Sequence, residues 1–410
     1  MRGEVRAGAR GSVSDHTQRA GEPPVTAAWR RGDPPGRRRF LTLAAERPMA
    51  LEGGGRLRGA EIAYETWGEL GGDAANAVLV CHALSGDSHV HGPAGPGHPT
   101  DGWWEDLVGP GRGLDTDRWF VVCANVLGGC QGTTGPASPQ PDDGRPWGSR
   151  FPVVTVRDMV RSQAALADHL GIGRWLSVIG GSMGGMQSLE WAVTYPDRVR
   201  TVAVVASTAA ASAQQIAWSF VGRRAITSDP GFRGGEYYDA APGEGPHRGL
   251  AVARAIAMIH YRSEIEFADR FGRSTRDTWT TFDLDQRFEV ERYLDYQGEK
   301  LVRRFDANTY LVLNKAMDLH DIGRGRGGIA RALDRIRVPM LTATVTTDAL
   351  YPPYQQAVIR DHLRANGLEV EAVLIDSPNG HDGFLTDGDQ LAGPLADFLT
   401  RHYEKASIVP

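Results

Sequence analysis

The sequence predicts an α/β domain, a mainly parallel sheet with helices on both faces and a helical insertion in its second half. Three observations predict it. From about residue 41, short apolar runs rich in β-branched residues alternate with helical patterns. The runs are continuously apolar rather than alternating, the pattern of strands buried on both faces. After Ser207 the runs stop for roughly 130 residues and resume at Val338.

Residues 1–40 are rich in Arg, Gly and Pro and end in Gly36-Arg37-Arg38-Arg39. With so few large apolar residues, they are expected to form a disordered extension. The acidic residues Glu4, Asp15, Glu22 and Asp33 argue against a transit peptide. Strands are expected within 77–84, 119–126, 175–179, 199–206, 339–345 and 370–375. A helix over 157–170 places Met159, Val160, Ala164, Leu166 and Leu170 near one face and stops at Gly171, a suitable C′ residue. Residues 208–336 read as mostly helical, broken at Asp229-Pro230 and at 241–246. The expected division is therefore a core of 41–207 and 337–410, with a cap of 208–336 and no internal repeat.

A chain of 410 residues accommodates one large domain with an insertion. Its 41% hydrophobic and 23% charged residues are ordinary for a globular protein, and the net charge of −5 offers no basic field for nucleic acid. No stretch approaches the roughly 18 apolar residues of a membrane span, and the N-terminus lacks the apolar centre of a secretory signal, so a cytoplasmic location is expected. Cys81, Cys123 and Cys130 make no disulfide framework and have no zinc spacing. They read as reduced, partly buried thiols.

The strongest local motif is Gly180-Gly181-Ser182-Met183-Gly184-Gly185, set between the strand-like WLSVI and a helical pattern over 186–195. That context is a nucleophile elbow, where flanking glycines let neighbouring chains approach and the helix N-terminus brings backbone N–H groups to the serine. Ser182 then needs a base and an orienting acid later in the chain. Asp348 follows the apolar MLTATV, and His381 follows EAVLI, both at strand C-terminal ends, where open α/β sheets build their sites. His260 and His320 in helical patterns, and His169 on a surface-like helix, are weaker candidates for the base. The order Ser, acid, His is that of the α/β-hydrolase fold. The oxyanion donors are expected to be the N–H groups of Met183 and, from the loop after an earlier strand, Leu84. In that loop His82 reads as an orienting residue.

Longer motifs resemble the homoserine O-acetyltransferase family, especially its actinobacterial members, from about residue 41 to the C-terminus. They are HALSGDSHV (82–90), GWWEDLVGPGRGLDTDRWFVVCANVLGGCQGTTGPASP (102–139), GGSMGGMQSLEWA, QQIAW (214–218), RRAITSDP and DALYPP. The resemblance implies a cytoplasmic, homodimeric enzyme of methionine biosynthesis that moves acetyl from acetyl-CoA to L-homoserine. The family's nucleophile, acid and base match Ser182, Asp348 and His381. Its substrate arginine matches Arg254, with Tyr261 seven residues on, and its aspartate after the histidine matches Asp382.

Homoserine is a zwitterion, so a cation for its carboxylate and an anion for its ammonium are required. Arg254 and Asp382 can supply them, and Arg223 is a rival clamp. The implied mechanism is ping-pong through acetyl-Ser182, under a cap that excludes water, with neither metal nor bound cofactor needed. Three alternatives stand beside it: succinyl transfer or a serine acceptor, an esterase on the same fold, and an inactive interaction module. Asp87, in the loop Ser85-Gly86-Asp87-Ser88, is expected to offer the acyl pocket an acid where succinate would want a base.

Overall fold

A computed structural model describes residues 21–43, 46–276 and 282–408. Its centre is an eight-stranded sheet. The strands are β1 (Arg39–Thr42), β2 (Glu61–Trp67), β3 (Ala77–Cys81), β4 (Phe120–Ala124), β5 (Trp175–Gly181), β6 (Val199–Val205), β7 (Met340–Val345) and β8 (Val370–Ile375), in spatial order β1-β2-β4-β3-β5-β6-β7-β8. Strand β2 runs against both its neighbours, and the six strands from β4 to β8 across the sheet are parallel. Every residue of β3, β4 and β5 is buried, as continuously apolar runs require. At the edge, β8 alternates, leaving Leu374 exposed.

Helices α1 (Val156–His169) and α2 (Met183–Thr194) flank the sheet on the face that receives the cap, while α9 (Pro353–Ala365), α10 (Gly383–Thr386) and α11 (Asp389–Ile408) follow the last two strands. Thr155 opens α1 with a capping box to Asp158. Gly171 closes it at φ +72°, with the Ile172 N–H reaching the Ala167 carbonyl at 2.8 Å. Met159, Val160, Ala164 and Leu166 are buried, as their spacing predicts. All three cysteines are free and buried.

Between β6 and β7 lie α3 (Ala213–Thr227), α4 (His247–Tyr261), α5 (Glu264–Arg270), α6 (Glu289–Val302), α7 (Ala307–Asp318) and α8 (Ile329–Leu333). Their buried residues, among them Ile226, Leu250, Ala253 and Leu313, join one apolar cluster with Leu84, Met183 and Met186 of the body. The insertion thus shares its core with the sheet and packs over the C-terminal end of β5.

The extension expected to be disordered to residue 40 needs correction. Residues 1–20 lie outside the described residues, but 21–40 strap across cap and body. The Gly243 N–H donates to the Pro23 carbonyl, Thr26 Oγ1 donates to Asp306 at 2.8 Å, and the Trp29 N–H donates to the Cys130 carbonyl at 2.9 Å. Trp29 stacks on Phe40, and β1 starts at Arg39. Arg38, apparently part of a basic tail, is buried, with its guanidinium on the carbonyls of Gln131 and Gly97. Directed hydrogen bonds, not apolar periodicity, hold this segment, so its composition did not reveal it.

Strand β2 was also absent from the sequence reading, because Glu65 interrupts its apolar pattern. Glu65 is fully buried and accepts from Ser88 Oγ at 2.8 Å and His89 Nδ1 at 3.0 Å. Those residues directly follow the Leu84 loop, so Glu65 anchors it from below. Burial opposes a charge on His89, but Glu65 outweighs it and raises the His89 pKa. With His98, this group brings three ligand-type atoms within 4.8 Å of one another. It makes a poor metal site. The two rings stack at 3.8 Å and 10°, so their in-plane lone pairs cannot converge on one ion, and His98 Nε2 already accepts the Arg37 N–H.

Candidate active site

Strand β5 runs on through Gly180 and Gly181 and turns at Ser182, whose φ of 59° and ψ of −124° are costly for a residue with a side chain. The turn is over-determined. The Ser182 N–H donates to the Val205 carbonyl at 3.0 Å, and its own carbonyl accepts from Ser207 Oγ at 2.7 Å and the Met186 N–H at 3.1 Å. Two glycines make it sterically possible. A Cβ on Gly184 would lie 2.0 Å from the Cys81 carbonyl oxygen, and one on Gly181 would lie 2.3 Å from the Phe384 ring. Absence of side chains at these points lets α2 sit against the end of β3 and brings the Leu84 loop beside the elbow.

Met183 is the first residue of α2, so its N–H has no acceptor within the helix. Leu84, after β3, likewise has no backbone acceptor for its N–H among the described residues. His82 holds this loop. Its Nδ1 lies 2.7 Å from the Ala83 carbonyl, and its Nε2 accepts the Val126 N–H at 3.0 Å. It is fully buried with a lowered pKa, caused chiefly by desolvation, and so orients the loop as a neutral ring.

Asp348 follows β7 and is almost completely buried. One carboxylate oxygen accepts the N–H groups of Leu350 and Tyr351, both at 2.8 Å, and the other meets His381 Nδ1 at 2.8 Å. That contact assigns the proton to Nδ1 and leaves Nε2 as the acceptor. The loops of acid and base are tied together, with Thr347 Oγ1 donating to the Ser377 carbonyl and accepting the Gly380 N–H. The His381 ring is packed by Tyr351 at 5.1 Å, Phe384 at 5.3 Å and Tyr261 at 5.8 Å. A serine on a strained elbow, an imidazole held by a buried carboxylate and two N–H groups without an acceptor among the described residues make up the equipment of acyl transfer.

A cavity beside this group is lined by Leu84, Met186 and Tyr351 of the body and by Trp218, Tyr261, Tyr310 and Asp318 of the cap. His260 also lines it, stacked on Trp218 at 4.7 Å and pushed down to about 3 by burial, with His381 and Arg254 adding to the effect. Buried side chains from α3, α4 and α7 thus roof the elbow, which gives the insertion its place in the site.

Of the arginines singled out, Arg223 is already neutralised, its guanidinium 2.6 Å from both Asp318 and Asn314. Arg254 has no carboxylate partner among the described residues. It lies half-buried with its guanidinium carbon 5.5 Å from the centre of the Tyr261 ring. Asp382 is 3.2 Å from Arg262, so that carboxylate is already positioned by one cation.

Asp87 corrects an expectation. Its carboxylate caps the His89 N–H at 2.8 Å and does not line the cavity. The cavity lining holds Asp318, which is paired with Arg223. The sequence reading also missed Tyr351. It stands there only within DALYPP, whereas its backbone N–H donates to Asp348 and its ring packs against His381.

Residues 76–388 match the alpha/beta hydrolase fold family. The homoserine O-acetyltransferase of Thermobifida fusca is 54% identical over 378 residues, which cover 92% of this chain and 98% of that one. The crystal structure of the homoserine O-acetyltransferase from Bacillus anthracis is similar with a TM-score of 0.81 and 27% identity, covering 88% of this chain and 97% of that one. That of esterase E22 has the same TM-score, 28% identity, and coverage of 88% and 99%.

Proposed function

The chain belongs to the homoserine O-acetyltransferases of the alpha/beta hydrolase fold, and from that premise we propose that it moves an acetyl group from acetyl-CoA to the hydroxyl of L-homoserine through acetyl-Ser182. The observation that carries the reading beyond fold is Arg254, a cation with no carboxylate partner among the described residues that lies over the Tyr261 ring packed against His381, where an ordinary esterase needs none. Arg254 binds the homoserine carboxylate, and Asp382 binds its ammonium, with Tyr261 packing between Arg254 and His381.

In the first half-reaction His381 Nε2 takes the Ser182 proton as Oγ attacks the thioester carbonyl. The Leu84 and Met183 N–H groups receive the oxyanion, and the thiol leaves with the proton. In the second, His381 takes the homoserine hydroxyl proton as that oxygen attacks the acetyl carbon, and then returns it to Ser182 Oγ. Asp348 keeps the ring in its tautomer throughout. The chain's own residues suffice for these proton transfers, so no cofactor or metal is assigned a step. The cap over the elbow keeps water from competing with homoserine.

The same reading makes the enzyme a cytoplasmic homodimer of methionine biosynthesis. No helix among the described residues is long and apolar enough to cross a membrane. A second copy is the proposed cover for the exposed Ile216 and Phe220 of α3 and Val252 and Ile259 of α4. A mass-spectrometric product assay tests the activity, with acetyl-CoA and succinyl-CoA each offered homoserine and serine. O-acetylhomoserine as the main product supports it. Free acetate alone would mean an esterase, and a succinylated or serine-derived product would replace the donor or acceptor.

A further inference from the structure

Two glutamines outside the proposed triad, Gln163 of α1 and Gln187 of α2, are buried and joined through their side-chain amides. Trp191 Nε1 donates to Gln163 Oε1 at 2.8 Å, and Gln163 Nε2 donates to Gln187 Oε1 at 2.7 Å. Gln187 Nε2 then donates to the carbonyls of His82 at 3.2 Å and Met183 at 3.1 Å. The two ends of this relay fix its direction. An indole N–H can only donate and a carbonyl can only accept, so neither amide can be flipped without setting like against like. The terminal carbonyls belong to the two halves of the oxyanion site. Met183 opens α2 and supplies one N–H, and His82 lies two residues before Leu84, which supplies the other. The carbonyl of the peptide that carries the Leu84 N–H, that of Ala83, is held in turn by His82 Nδ1 at 2.7 Å and by the Gly86 N–H at 3.0 Å. Apolar side chains would fill the same space without desolvating two amides, so packing alone does not account for them.

Resting on the reading of Ser182 as nucleophile, we infer that Gln187 is a positioning residue that staples the Leu84 loop to the elbow and so sets the spacing of the two oxyanion donors. Its amide nitrogen carries two hydrogens, one for each half, so the halves separate only by breaking a bond. Gln163 keeps that nitrogen aimed at the carbonyls by occupying the amide oxygen. Gln187 touches no reacting atom. It acts through the Leu84 and Met183 N–H groups, which are effective only where both stand within hydrogen-bond distance of one developing oxyanion. Each half-reaction passes through a tetrahedral intermediate whose oxygen sits between these donors, so the staple serves formation and discharge of the acetyl-enzyme alike. His381 and Asp348 lie in the loops after β7 and β8 and bond to each other rather than to this relay.

The test is Gln187→Met, which keeps length and bulk and removes the donor. Acetylation of Ser182 by p-nitrophenyl acetate is followed by nitrophenol release, discharge by intact mass with and without homoserine, and Tm is measured alongside. The thionoacetate ester, with C=S for C=O, is run in parallel, because sulfur accepts hydrogen bonds weakly and draws little help from the two donors. The expected result is acetylation and discharge each slowed by ~10- to 100-fold for the oxygen ester, acylation by the sulfur ester within about threefold of the parent, and an unshifted pH profile. Equal slowing of the two esters would overturn the inference, since a general disturbance of packing gives that result. Parent rates with a lowered Tm, or slowing of only one half-reaction, would overturn it as well. If Gln187→Met does not fold, Gln163→Met decides. It loosens the aim of the Gln187 amide and should slow the oxygen ester by ~3- to 10-fold and spare the sulfur ester, and an unchanged ratio of the two would overturn the inference. Both esters load Ser182 whichever acyl-CoA is the natural donor. Acetyl-enzyme still formed by Ser182→Ala would count against the nucleophile, and an unchanged ester ratio against Gln187.

Discussion

Gly184→Ala probes whether the elbow and the oxyanion loop are built as one unit. The added methyl would stand 2.0 Å from the Cys81 carbonyl oxygen and 3.3 Å from that of His82, where the closest real Cβ contacts are about 3.0 Å. Both obstacles are backbone, so no rotamer change relieves them, and α2 must part from the end of β3 by about 1 Å. Overpacking of this kind costs about 1–3 kcal/mol. The greater effect falls on rate, because the same displacement moves the Leu84 N–H away from the oxyanion position, and about 1 Å of misplacement costs on the order of 10²-fold. Gly173→Ala is the control, since a methyl there meets nothing within 4 Å and the backbone is not in the left-handed region. The assay pairs urea denaturation with the rate of Ser182 acetylation by p-nitrophenyl acetate. If Gly184→Ala matched the control in both, within ~0.5 kcal/mol and about twofold in rate, the steric reasoning would fail.

Asp348→Asn reverses the His381 tautomer and should lower kcat by about 10⁴-fold with little change in stability, measured by steady-state kinetics and thermal denaturation. Arg254→Gln removes the unpaired cation. It should raise the homoserine KM by ~30-fold, worth about 2 kcal/mol, while acetylation of Ser182 by acetyl-CoA proceeds at the parent rate. His320 is buried against the Thr208 carbonyl at 3.0 Å, and burial lowers its pKa to about 4. Its depressed folded pKa means that the unfolded chain takes the proton first, so stability is lost as pH falls from about 6.5 to about 4. His320→Gln should lose ~3 kcal/mol less of stability over that interval in urea titrations at several pH values.

What was legible in the sequence was what local pattern dictates. Ser182 directly follows β5, and Asp348 and His381 lie in the loops after β7 and β8, so apolar runs and glycine-rich turns located them without any knowledge of contacts. The helix ending at Gly171 and the helical insertion were legible for the same reason. What escaped depends on partners distant in the chain. Glu65 is tolerated inside β2 only because Ser88 and His89 come back to meet it. Thr26 and Arg38 are fixed by Asp306, Gln131 and Gly97, so a stretch with a disordered composition is held in place. The rivalry between Arg223 and Arg254 could not be resolved from residue types, because it turns on Asp318 already occupying one of them. Tyr351 could be quoted as a motif letter, but its ring meets His381 only when β7 and β8 deliver their loops to the same end of the sheet.

The central claim is that Ser182 carries the acetyl group between two substrates. Its most direct test is peptide mass mapping of the enzyme mixed with acetyl-CoA alone and then chased with homoserine. The account predicts acetyl on the peptide containing Ser182, its disappearance on the chase with matching appearance of O-acetylhomoserine, and no label in Ser182→Ala. Product formed at the parent rate by Ser182→Ala, or acetyl found stably on another residue and discharged from it, would contradict the account.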